Sequence, residues 1–362
     1  MKRILLFALG ICAALPLWAL QCGQQAAELP NLKYLTGVRR QVAVPLKDNI
    51  LRSVTFVHTY GRGAQETVVM LKAWSKTYGR RLMQTVVTPD PESDAAVLAP
   101  LFRGSGISFA VDSSRRITMQ YMAGSLLYPK SFVIDPKGKV IWCGQTVDMG
   151  EMLQEYFTGK FDAAAAEKIS PMLDELQTLL RESSERKMKN LTDQIFAISP
   201  AHPGALRMRL FALENSNRIP QAWNLISERI SAAPKNARLY FTAVDFMGRY
   251  IPFKSNFVQL LSSFDRNVKD MDSRCMMAWE LLNRFSYDIK ALEYANLLLG
   301  KTLPGKAELR PLWFAARARI AYLAGDVPKA VIYQKQALPA GTRNNPMLDY
   351  LTGVEQLRKR LP

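Results

Sequence analysis

Between positions 54 and 160 the order of apolar and polar residues alternates between strand-like and helix-like segments. Val54 to His58 is rich in β-branched and aromatic residues, which is typical of a buried strand. From Ala64 to Tyr78 the apolar residues recur at helical spacing, and Gly79 follows as a C-cap. Further segments are predicted as a strand at 82–87, a helix at 93–103, a strand at 109–112 and a helix at 117–123. The pattern predicts an α/β layered domain.

The segment 127–142 predicts a β-hairpin that closes this domain. Two apolar stretches flank the sequence Asp-Pro-Lys-Gly at 135–138, whose residue types favour a tight turn. A last helix follows, and the predicted α/β domain therefore covers residues 32–160.

Residues 1–19 have the layout of a secretory signal peptide. Two cations precede an apolar run that ends at Ala19 and is shorter than the roughly 20 residues of a membrane-spanning helix. Cleavage after Ala19 predicts an exported protein of the periplasm or the extracellular space. A membrane-anchored lipoprotein attached through Cys22 is the alternative, although Gln21 stands where a lipidation box needs a small residue.

From Ala163 to the end of the chain, helix-forming residues dominate and strand signals are almost absent. We interpret 163–200 as a helical linker, with one long helix at 170–197 that is capped by Ser170. Residues 201–362 then form a separate all-α domain.

Helical units recur within 201–362. Ala222, Ala291 and Ala330 hold equivalent places, spaced by about two periods and about one period of a roughly 34-residue repeat. This spacing resembles tetratricopeptide repeats, in which small residues let paired helices pack closely. An irregular α-helical bundle is the alternative.

The strand and helix around residue 60 resemble the active-site segment of the thioredoxin superfamily, where an aromatic residue precedes Cys-x-x-Cys at a helix N-terminus. Tyr60 is the aromatic residue here, but Gly61 and Ala64 stand at the two cysteine positions. Pro129, directly before the hairpin, matches the cis-proline of that family. The strand Gly-Lys-Val-Ile-Trp at 138–142 is similar to the exported, TlpA/ResA-like thiol–disulfide branch.

This resemblance implies a thioredoxin-like domain. Because the two cysteines are missing, we expect the domain to have no catalytic residues. Disulfide exchange needs a thiolate and a second, resolving sulfur, and Gly61 and Ala64 supply neither. It also implies a peptide-binding groove, whose residues would be Tyr60, Gly61, Arg62, Gly63, Tyr128 and Pro129. We therefore expect a redox-inactive scaffold or adaptor that binds a protein or peptide partner. The alternative is a thiol–disulfide oxidoreductase or peroxide-handling redoxin that uses Cys143 or a partner's cysteine.

The sequence Gly61-Arg62-Gly63 at the predicted helix start raises one more hypothesis. Free amides, the positive end of the helix dipole and a guanidinium would together bind a carboxylate or a phosphate. The alternative is a loop without a ligand, in which Arg62 points into solvent.

Charge and cysteine content narrow the partners and the chemistry. The net charge of +17 is spread along the chain, which favours weak association with an anionic envelope surface. The chain has no basic run interleaved with aromatic residues, so we do not expect it to bind nucleic acid. Cys22, Cys143 and Cys275 have no redox-pair spacing, so we expect buried free thiols, with a Cys143–Cys275 bridge as the alternative. His58 and His202 lack metal-ligand spacing, and we expect no metal and no cofactor.

Overall fold

The computed structural model describes residues 19–39, 42–46, 49–60, 62–123, 125, 128–250, 255–285, 288–338, 347 and 350–352. The chain divides into two compact units, Met1–Met208 and Arg209–Pro362. Almost all of the predicted signal peptide lies outside the described residues. Within the described part of the chain, no helix combines the length and the apolar character that a membrane span requires.

A mixed six-stranded sheet organises the first unit. Its strands are β1 (Lys33–Thr36), β2 (Leu51–Phe56), β3 (Leu82–Thr88), β4 (Ser108–Val111), β5 (Lys130–Ile134) and β6 (Val140–Gln145). Their order across the sheet is β1-β4-β3-β2-β5-β6. Strands β2, β3 and β4 run parallel, whereas β1 and the β5–β6 hairpin pair antiparallel with their neighbours. The predicted α/β pattern, including the hairpin, is confirmed.

Helices cover both faces of this sheet. They are α1 (Arg62–Tyr78), α2 (Glu92–Phe102), α3 (Arg116–Met122), α4 (Thr146–Phe157), α5 (Ala163–Arg181) and α6 (Glu185–Ile198). All six residues of β2 are buried, because apolar side chains pack on each side of the strand. Successive residues of a strand point to opposite faces, so Val133 joins the core under α1 and α4 while Phe132 joins the core under α3. The sheet is thus the rigid support for the loops at its edge.

The single long helix predicted at 170–197 is wrong. The chain forms two helices in this region instead of one. The first, α5, begins at its cap, where the Asp162 side chain accepts a bond from the Ala165 amide at 2.9 Å. That cap starts the helix well before Pro171, and Ser170 is buried inside α5 instead of capping it. A left-handed residue, Ser183 with φ of +53°, then separates α5 from α6.

The second unit is helical throughout its described residues. Helix α7 (Pro203–Asn215) leads into it, followed by α8 (Ile219–Ala232), α9 (Ala237–Tyr250), α10 (Ser255–Asn267), α11 (Met271–Arg284), α12 (Ile289–Leu299), α13 (Arg310–Leu323) and α14 (Val327–Ala337). Helices α8 and α9, α11 and α12, and α13 and α14 pack as pairs. Ala222, Ala291 and Ala330 are each at most 1% exposed. The all-α character is confirmed, whereas the tetratricopeptide assignment and the exact domain limits stay predictions.

Candidate functional site

His58 and Asp90 meet where β2 and β3 end. The two strands are parallel neighbours, so the loops that follow them lie at the same edge of the sheet. His58 Nδ1 lies 2.8 Å from one carboxylate oxygen of Asp90. The other oxygen accepts bonds from the Thr59 amide at 2.6 Å and the Thr59 hydroxyl at 2.8 Å. Because an ionised carboxylate only accepts, Nδ1 donates this bond to Asp90.

The charge of Asp90 is stabilised by these contacts. Burial by itself would raise the pKa of the Asp90 carboxyl, but the hydrogen bonds from the Thr59 amide, His58 and the Thr59 hydroxyl outweigh it and lower the pKa below its ordinary value. The Asp90 side chain is nearly buried, whereas the His58 side chain is 46% exposed. Asp90 therefore holds the imidazole in one orientation at a solvent-accessible edge.

Tyr128 and Pro129 lie beside this histidine. The peptide bond between them is cis, as the family resemblance implies. The rings of His58 and Tyr128 are 4.1 Å apart between centroids and tilted by 46°. Burial raises the pKa of the Tyr128 hydroxyl. The Pro129 carbonyl accepts a bond from the Thr146 amide at 3.1 Å, which attaches this loop to the start of α4.

The other predicted groove residues lie at the start of α1. The Tyr60 ring is 66% exposed, and its hydroxyl donates to Asp94, which raises the pKa of Tyr60. Gly61 and the Arg62 side chain lie outside the described residues, so the anion-site hypothesis stays a prediction. Gly63 is exposed and faces open space, whereas Ala64 is buried under the helix. His58, which the sequence pattern places inside the strand, lies in the loop after it.

A second cluster brings two cysteines together. Cys22 and Cys143 are buried, and the Cys22 thiol donates a hydrogen bond to the Cys143 sulfur over 3.9 Å. The Ser170 hydroxyl of α5 lies 3.2 Å from the Cys143 sulfur and accepts a bond from the Cys22 amide at 3.3 Å. The predicted alternative, a Cys143–Cys275 bridge, is not what the structure presents, because Cys143 contacts Cys22 and the buried Cys275 thiol contacts the Leu309 carbonyl.

The surroundings of Cys143 favour its thiolate. The hydrogen bond from the Cys22 thiol lowers the pKa of Cys143, and the positive charge of Lys130 and the Ser170 hydroxyl lower it further, against the opposing effect of burial. The pKa of Cys22 is raised, first because its proton is held in the bond to Cys143 and second because of burial. The Lys130 side chain is only 3% exposed, and its Nζ lies 3.5 Å from Oδ1 of Asp174 on α5.

Both clusters join residues that are distant in the sequence, so spacing alone does not reveal them. The one local signal is Asp90, an acid placed two residues after a buried strand. Among the described residues, no group of three or more His, Cys, Asp or Glu side chains could hold a metal ion.

Comparison with known proteins gives structural neighbours only. No protein-family model matches the chain, and none of the curated proteins does either. A thiol-disulfide oxidoreductase from Bacteroides fragilis is similar at 17% identity and a TM-score of 0.30, covering 37% of this chain and 99% of its own. StoA from Bacillus subtilis is similar at 12% identity and a TM-score of 0.27, covering 34% of this chain and 98% of its own.

A peroxiredoxin-like protein from Aquifex aeolicus is similar at 18% identity and a TM-score of 0.28, covering 35% of this chain and 79% of its own. Each of these three neighbours matches about a third of this chain. The N-terminal part of the protein is an α/β domain built on the six-stranded sheet, and the remainder is mostly helical.

Proposed function

We propose that this protein is a redox-inactive, thioredoxin-like scaffold or adaptor of the cell envelope that binds an extended segment of a partner protein. The observation that carries the proposal is the aromatic surface at the edge of the sheet. There Asp90 holds His58, whose ring lies 4.1 Å from the Tyr128 ring between centroids, and the Tyr60 ring is exposed. Aromatic rings offer large contact areas to a peptide at a small cost in side-chain entropy.

The proposed groove also has room for a peptide backbone. An added Cβ at Gly63 would meet no atom within 4 Å, so the first turn of α1 is open on that side. The loop at Tyr128 and Pro129 would form the opposite wall. A peptide that lies between these two walls can pair its backbone with theirs and present its side chains to the rings.

The absence of sulfur at this position supports a binding role. Gly61 and Ala64 stand where the resemblance places the two cysteines, and Ala64 is 2% exposed. A partner disulfide held in the groove would meet no thiolate there, so it could be bound but not exchanged.

Selection of displayed short peptides on the full chain tests this function. We expect the selected peptides to bind the wild type and to lose at least about tenfold in affinity, or about 1.4 kcal/mol, in a Tyr128→Ala, Arg62→Ala double variant. Lys235→Ala, which removes a charge of the second unit, is the matched control and should bind like the wild type. Peptides that bind the double variant as tightly as the wild type would contradict the proposed groove.

A thiol–disulfide oxidoreductase is the second candidate, because Cys143 has a resolving sulfur in contact and a lowered pKa. Its weakness is access, since Cys22 and Cys143 are each only 7% exposed. Reduction of insulin disulfides by the purified chain separates the candidates. The scaffold predicts no rate above background, whereas turnover that disappears in Cys143→Ser would establish the oxidoreductase.

The second unit is proposed to add a tetratricopeptide-like surface. Its support is the burial of Ala222, Ala291 and Ala330 in helices that pack as pairs. Asp288 and Asp326 cap the second helix of two of these pairs through their side chains. Export to the envelope and weak attraction of the basic chain to anionic surfaces complete the proposal, and fractionation of cells that express the full chain tests the location.

A further inference from the structure

Backbone hydrogen bonds attach residues 20–26, the N-terminal segment, to α3 and to the edge of the sheet. The Leu20 amide donates to the Tyr121 carbonyl at 3.1 Å, and the Gly23 amide donates to the Val140 carbonyl at 2.8 Å. The Val140 amide donates in return to the Gln24 carbonyl at 2.9 Å. Strand β6 is the last strand of the sheet, so this segment continues the pairing beyond it. Cys22 is thereby held beside β6, the strand that contains Cys143.

The two sulfurs are in contact and shielded from solvent. They lie 3.9 Å apart, whereas the sulfurs of a disulfide are about 2.05 Å apart. A movement of about 2 Å between the sulfurs would close the bond. The Ser170 hydroxyl touches the Cys143 sulfur and the Cys22 amide, so α5 helps to keep both residues in place.

We propose that Cys22 and Cys143 form a disulfide bond that fastens the N-terminal segment to β6 when the protein is in an oxidising compartment. This bond does not depend on the peptide groove, which lies at residues 60–63 and 128–129. Exported proteins retain such bonds, because no reducing thiol pool opposes them there.

The oxidant would be a disulfide, either of low molecular weight or on another protein. The Cys143 thiolate attacks one sulfur of that disulfide, forms a mixed disulfide and releases the first thiolate. The Cys22 thiol then gives its proton to solvent and its sulfur attacks the Cys143 sulfur, which expels the second thiolate. The two released thiolates take up protons from solvent. Two protein thiols and one oxidant disulfide become one protein disulfide and two oxidant thiols, with two electrons transferred to the oxidant.

The positive charge of Lys130 favours the attacking thiolate of Cys143. Because both sulfurs are buried, the oxidant reaches them while the segment at 20–26 is detached from β6.

The proposal excludes lipidation of the same residue. A lipid anchor occupies the Cys22 sulfur through a thioether, and that sulfur then cannot bond to Cys143. The buried Cys22 side chain, 7% exposed, also leaves no path for an acyl chain to reach a membrane from this position.

Mass spectrometry of the full chain tests the bond directly. The protein is treated with oxidised glutathione, its remaining thiols are alkylated in denaturant, and it is digested without reduction. We expect a linked peptide that contains Cys22 and Cys143, and an alkylated Cys275. Recovery of Cys22 and Cys143 as separate alkylated or glutathionylated peptides, or a lipid on Cys22, would overturn the proposal.

Thermal unfolding with and without a reductant gives a second readout. Because the bond joins residues 121 positions apart, reduction should lower the unfolding midpoint of the wild type by roughly 5–10 °C. Cys275→Ser should show the same shift, and the Cys22→Ser, Cys143→Ser double variant should show none. A wild type that unfolds at the same temperature in both conditions would refute a stabilising bond, even if the double variant does not fold.

Discussion

Asp90 is the residue whose loss should reveal most about the candidate site. It lies after β3 and holds the loop after β2 through three hydrogen bonds, one from His58 and two from Thr59. We expect Asp90→Ala to release that loop, because a methyl group accepts none of these bonds and leaves the Thr59 amide without its partner. The edge at which the His58 ring contacts the Tyr128 ring would then lose its support.

The expected magnitude follows from the three bonds. A hydrogen bond to a charged acceptor contributes roughly 1.5–3 kcal/mol, and a neutral one about 1 kcal/mol. Water can replace part of the interaction at His58, whose side chain is 46% exposed, so the two bonds from Thr59 dominate. Thr59 is itself partly exposed, so water offsets part of its two bonds as well. We therefore expect Asp90→Ala to reduce the free energy of unfolding by about 2–3 kcal/mol, which corresponds to a fall of roughly 5–10 °C in the unfolding midpoint.

Denaturant unfolding at neutral pH measures this loss, with Asp94→Ala as the matched control. Asp94 is the neighbouring acid on α2, and its partner Tyr60 is largely exposed, so the control should change stability by less than about 1 kcal/mol. Equal unfolding midpoints for wild type and Asp90→Ala would refute the view that Asp90 organises this edge.

The pH dependence of Asp90→Asn provides an internal check. The pKa of Asp90 is lowered in the folded state, so its contribution is present above the unfolded value of about 4 and is lost as the pH falls through the lower, folded value. The stability difference between wild type and Asp90→Asn, which cannot ionise, should therefore shrink in acid. A difference that grows as the pH falls would contradict the assigned cause of the shift.

Two further predictions address packing in the two units. Gly138→Ala should destabilise the first unit by about 3 kcal/mol or more, because φ is +88° and an added Cβ would lie 2.2 Å from the Ala43 carbonyl oxygen. Gly159→Ala, with φ of +72° but open space around it, should cost only about 1–2 kcal/mol in the same denaturation assay. Ala330→Leu should cost roughly 1–3 kcal/mol because Ala330 is fully buried where α13 and α14 pack together, whereas Lys329→Leu on the exposed face should stay within about 0.5 kcal/mol. Equal losses within either pair would refute the corresponding packing argument.

Local pattern predicts most elements of the first unit. The strand at 82–87 and the helix at 93–103 are found as Leu82–Thr88 and Glu92–Phe102, and the hairpin turn lies at 135–138. Strand β1 leaves no such signal, because it has only four residues and gains its stability from pairing with β4. The break between α5 and α6 is missed as well, since the leucines on one face continue the helical period toward it and Ser183 does not mark a turn by its residue type.

Local pattern alone predicts the α/β character of the first part, the helical character of the remainder and the missing sulfur at Gly61 and Ala64, because periodicity and residue identity are local properties. The contacts of His58 with Asp90 and of Cys22 with Cys143 form only when the chain folds. The first contact arises because parallel strands end at one edge of the sheet. The second arises because residues 23–25 pair with the edge of the sheet at residues 139–140, more than a hundred positions further along the chain. Burial and strand pairing act between segments that no local pattern connects.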